Sequence, residues 1–198
     1  KINTFTISPF ICLLLILSIG ISHGSLDNFK GRKLFQILEI DNFSIFYFAY
    51  ILIALIVIFL WILIPYVSLI IFLMVASYHF GKEDTQFLII ENSYYNQFLF
   101  FLKGSLIVFA PMYFHFEETI SIFRLLLIEN ETFYKFLDLI ESNRVLLYCV
   151  ILSTLANILL FTKNFELKKF TIFLDYFSIL IINYYFSPLV AFTIYFCF

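Results

Sequence analysis

Long uncharged apolar runs, broken by short polar islands, set the pattern of this chain. A helix crosses about 30 Å of hydrocarbon with roughly 20 apolar residues at about 1.5 Å each. Runs near that length cover 5–21, 98–114, 145–161 and 170–186, and a further one begins at Pro188 and continues to Phe198. From Phe43 to Phe80 there is no charged residue, which is too long for one crossing and right for two. Pro65 is the natural divider, because proline lacks an amide proton and restrains the residue before it. The predicted spans there are 43–64 and 65–80, joined by a tight turn. Polar loops are expected over 27–42, 81–97 and 162–169. The segment 115–143 differs, since Ile122, Leu125, Leu126, Phe133, Phe136, Leu137 and Ile140 recur at helical spacing between charges, the pattern of one or two amphipathic helices lying at a membrane interface. Lys103, about one turn inside its run, is expected to snorkel its ammonium to the headgroups.

The pattern predicts an all-α fold: a polytopic membrane helix bundle of six to seven spans plus interfacial helices, forming a single membrane domain over 1–198. Composition agrees, with 63% hydrophobic residues and a net charge of -2 from 12 basic and 14 acidic side chains, far from the balance of a soluble surface. No basic patch points to nucleic acid. Lys30, Arg32 and Lys33, then Lys82, then Lys163, Lys168 and Lys169 fall on one side of the predicted topology; Arg124, Lys135 and Arg144 fall on the other. The positive-inside rule then places the N-terminus outside and the first set in the cytoplasm, in a multi-pass protein of the cell (inner) membrane. The chain starts at Lys1 and stops at Phe198 inside an apolar run, so a fragment is expected. Cys12, Cys149 and Cys197 sit in apolar runs and have no visible pairing logic. The acceptor-like triplets at Asn42 and Asn130 are too short to carry weight.

Candidate chemistry gathers at two polar knots that end apolar runs in the same manner. The first is Ser22-His23-Gly24-Ser25-Leu26-Asp27; the second is Tyr78-His79-Phe80-Gly81-Lys82-Glu83-Asp84. Ionisable groups at or within spans are costly enough to mark function. His23 and His79 are predicted at the same membrane depth, each followed by a glycine and carboxylates, so the pair is read as metal ligands against the plainer reading of interfacial histidines bonded to carbonyls. Asp27 stands four residues after His23 and Glu83 four after His79, one turn on if the helices continue. There they would orient the imidazoles, as carboxylates do for metal-bound histidine, or be simply solvated. Gly24 and Gly81 are read as serving either close backbone approach or a helix end, the latter preferred. His115, beside Glu118, is placed at the opposite membrane face, out of reach of the other two.

The two knots resemble the S/P-H-G-x-x-D and H-F-G-x-x-D elements of the Brp/Blh family of bacterial and archaeal beta-carotene 15,15'-dioxygenases, and the resemblance runs the length of the chain. It implies a multi-pass membrane enzyme that cleaves beta-carotene at its central double bond with dioxygen to give two retinals, in association with retinal-binding rhodopsins that accept the product. It also implies a single Fe(2+) held by histidines, with His23 and His79 in the first two positions. Tyr195-Phe196-Cys197-Phe198 resembles the run-up to the family's W-H-S-x-R-H element, which supplies the remaining two histidines and is expected beyond Phe198. The rivals carried from the residues themselves are a small membrane transporter, which would place polar groups at mid-membrane on broken helices, and a non-catalytic membrane partner protein.

Overall fold

A computed structural model describes residues 8–40, 42–89, 93–127, 131–142, 144–163 and 167–197, apart from the side chains of 21–26, 126, 131, 132, 142 and 168. The described residues form ten α-helices, one short 3-10 turn and no β-strand. The helices are α1 (Pro9–Ile37), α2 (Ser44–Leu63), α3 (Pro65–Glu83), α4 (Tyr94–Gly104), α5 (Leu106–Phe114), α6 (Phe116–Leu126), α7 (Glu131–Ser142), α8 (Val145–Thr162), α9 (Phe170–Tyr185) and α10 (Pro188–Cys197). The all-α expectation holds.

Among the described residues, three stretches are long and apolar enough to cross a membrane: Ser44–Leu63, Tyr94–Phe114 and Val145–Thr162. Pro9–Gly20, Phe170–Tyr185 and Pro188–Cys197 are apolar but shorter. The division at Pro65 is as expected, with α2 ending at Leu63 and proline opening α3 in its first turn, where its missing N–H costs nothing.

Several expectations are corrected. The predicted polar loop 27–42 is helical as far as Ile37, because α2 folds back on it. Tyr50 donates to the Asp27 carboxylate at 3.1 Å and Tyr47 to Asn28 at 3.3 Å, while Phe35 meets Phe43 and Phe46 edge-on. Side-chain partners from a neighbouring helix hold polar residues in helical geometry where composition alone suggests a loop. Lys103 does not snorkel: it is 2% exposed and bonded to two carboxylates.

The closest helix pair is α3 with α4. A Cβ added to Gly81 would stand 1.8 Å from the Phe100 carbonyl oxygen, and one added to Gly104 would stand 1.9 Å from that of Ser77. Ser77 and Gly81, one turn apart, thus form a small-x-x-x-small face on which α4 lies backbone to backbone. Gly81 serves close approach, and the reading of it as a helix end is corrected, for α3 continues to Glu83. Helix α1 likewise runs on through Gly24. Next to this pair, α8 is tied to α4 by the Ser153 hydroxyl, which donates to the Leu102 carbonyl at 2.7 Å and lies 2.9 Å from the Ser105 hydroxyl. Leu99, Phe100, Ala156, Leu160 and Ile172 fill the space between α4, α8 and α9. Helices α6 and α7 pack their apolar faces through Phe116, Ile120 and Leu137 onto Met112 of α5 and Leu146 of α8, as their amphipathic pattern predicts.

Candidate active site

The face of α3 that carries Leu69, Leu73, Ala76, Ser77 and Phe80 at helical spacing, together with His79, forms one wall of a cavity of about 440 Å³. Helices α5, α6, α9 and α10 supply the other walls, including Pro111, Thr119, Asn183, Pro188 and Tyr195. The lining is almost wholly apolar, and most of its polar groups are turned back on the protein. The Ser77 hydroxyl donates to the Leu73 carbonyl, that of Thr119 to His115, and the Asn183 amide to Ile179, each at 2.8 Å. Such bonds to the carbonyl one turn earlier leave a hydroxyl or amide on a helix without demand on its neighbours.

His79 is the exception. Among the described residues no hydrogen bond engages its imidazole, whose ring meets Phe80 at 5.7 Å between centroids. Its nitrogens therefore remain available for a ligand or a metal ion.

Of the other sequence candidates, His23 lies in α1 and its side chain falls outside the described residues. Asp27 is engaged by Tyr50, and Glu83 is exposed at the end of α3. His115 caps the junction of α5 and α6, with its Nε2 buried and unpartnered, and it does not line the cavity.

The structure links to the site four residues to which the sequence assigned no role there, one of them, Asp84, within the second knot. Lys103 Nζ lies 2.8 Å from Asp84 Oδ2 and 2.5 Å from Asp175 Oδ2, and the Tyr195 hydroxyl donates to the same Asp84 oxygen at 2.6 Å. In the second knot it is Asp84, not Glu83, that is held. Asp175 was recoverable from sequence as the lone acid within the apolar run 170–186, since an ionisable residue at such a place calls for a partner.

Among the described residues no three of His, Cys, Asp and Glu gather closely enough to hold a metal ion. His79 is the one histidine, cysteine or carboxylate among the described residues that line the cavity, so these residues do not by themselves compose a metal centre.

The fold and this cavity define an all-helical protein of membrane character, built round an apolar chamber with one unengaged imidazole in its wall. The family model described as beta-carotene 15,15'-dioxygenase matches residues 14–198. The chain belongs to that family. No curated protein and no solved structure gives a significant match.

Proposed function

We propose that this protein is a multi-pass membrane enzyme that cleaves beta-carotene at its central double bond with dioxygen, giving two retinal molecules. The observation that carries the reading, within a chain of this family, is the free imidazole of His79 in the wall of an otherwise apolar cavity. A carotenoid has no polar group to anchor it, so the chamber would hold it by shape and by exclusion of water. The carotene would enter from the lipid in which it dissolves, and a retinal-binding rhodopsin would be the natural acceptor of the product. His79, with His23 from α1, would contribute to binding Fe(2+), which would supply the chemistry of oxygen activation. The chain's own part is positioning: α3 presents His79 to the chamber, and the α3–α4 backbone contact fixes where that end of α3 lies.

The test is expression from the full reading frame in a beta-carotene-producing bacterium. Orange colour should fade as retinal accumulates, and both changes should be abolished in His79→Ala and in His23→Ala. Retinal formation that survives both substitutions would sink the assignment of the histidines. Absence of retinal from the parent protein would sink the activity itself.

A further inference from the structure

Charged side chains from three helices gather beside one phenol. Lys103, from α4, sits between Asp84 at the end of α3 and Asp175 of α9, and Asp84 also accepts the hydroxyl of Tyr195 from α10. Four helices therefore meet at a single charged knot. Burying an ammonium is expensive even beside part-exposed carboxylates, and well-packed apolar side chains often stabilise a core as well or better. What ion pairs and their hydrogen bonds give that apolar packing does not is direction: they fix the placement of particular atoms.

Here the atom so placed belongs to the cavity. The Tyr195 ring lines the chamber and packs edge-on against Phe80 at 5.4 Å, and Phe80 packs against His79 at 5.7 Å. The knot thus ends in a row of rings leading to the unengaged imidazole.

We propose that Tyr195 is a positioning residue, oriented by the Lys103-held Asp84 carboxylate, that fixes the His79 end of the cavity for reaction. This inference rests on the cleavage activity proposed above. Removing only the hydroxyl, in Tyr195→Phe, keeps the ring and leaves Asp84 paired with Lys103, so the knot and the fold persist while the ring loses its direction. Substrate binding, which depends on the volume and apolarity of the chamber, is retained, and the rate falls.

The experiment uses the full-reading-frame protein purified in detergent. Anaerobic titration with beta-carotene, followed by its absorption band, reads binding, and admission of oxygen reads turnover to retinal. Tyr195→Phe is expected to hold KM within about threefold and to lower kcat by roughly tenfold, the rate equivalent of one net hydrogen bond, with little change in Tm. Ser153→Ala, which cuts the α4–α8 hydroxyl link away from the cavity, is the structural control and is expected to lower Tm while leaving kcat near the parent value. A Tyr195→Phe protein with unchanged kcat would overturn the proposal. So would a fall in kcat that tracks Tm equally in both variants. A parent that binds carotene and forms no retinal overturns the cleavage reading instead, and the inference with it.

Discussion

At the scale of single residues, His79 and Lys103 stand at the centre of the site, and the sequence exposed them unequally. A histidine with a glycine and acids behind it, at the end of an apolar run, is conspicuous, and the structure places it in a cavity wall. Lys103 is just as visible, yet its role was not, because depth in a run does not reveal which helices surround it. A lysine near a span end can reach water, or it can be enclosed by a neighbouring acid, and only the packing of α3 and α9 against α4 decides between them. Lys103→Met removes the buried cation from two part-exposed carboxylates, of which Asp84 keeps its bond from Tyr195. It is expected to destabilise the protein by about 1–2 kcal/mol, less than a fully buried pair because the carboxylates reach water, seen as a lower midpoint in thermal unfolding in detergent. An unchanged midpoint would show that Lys103 reaches water after all.

At the scale of elements, the α3–α4 contact was hidden for a related reason. Glycine at a helix end and glycine in a helix contact look alike in sequence, and the spacing of Ser77 to Gly81 becomes informative only once Gly104 is known to face it. Gly81→Ala and Gly104→Ala would each drive a methyl group into a backbone carbonyl of the other helix, an atom that cannot swing aside. Each is expected to cost about 1–3 kcal/mol through overpacking and to reduce activity through the displaced end of α3. Equal melting temperatures for parent and variants would contradict the close approach. The Pro65 division and the amphipathic α6 and α7 were legible beforehand, since proline chemistry and helical periodicity are local properties. The helical continuation of α1 to Ile37 was not, because it depends on Tyr47 and Tyr50 reaching across from α2.

At the scale of the whole molecule, the helical class and the membrane character follow from composition, while the number of crossings does not. Three stretches meet the length and apolarity of a crossing; α3, with 19 residues, ends in polar turns carrying His79, Lys82 and Glu83. No residue of α2 is buried, so the part of its surface that α1 and α3 leave uncovered is available to lipid. Ile53→Asp, near its middle, is expected to oppose insertion by about 2.5–3.5 kcal/mol, read as loss of the protein from the carbonate-washed membrane fraction. Normal insertion would argue that α2 does not cross. The cavity itself was not legible, for it arises where four other helices, none adjacent to α3 in sequence, surround one face of α3.

The most direct test of the central claim is the stoichiometry of the reaction: purified protein given beta-carotene and oxygen, with carotene consumed and retinal formed counted together. Central cleavage in the chamber beside His79 predicts two retinals for each carotene lost and no other aldehyde, and the yield should vanish with iron chelation and return with Fe(2+). One retinal per carotene, or aldehydes of unequal length, would contradict it.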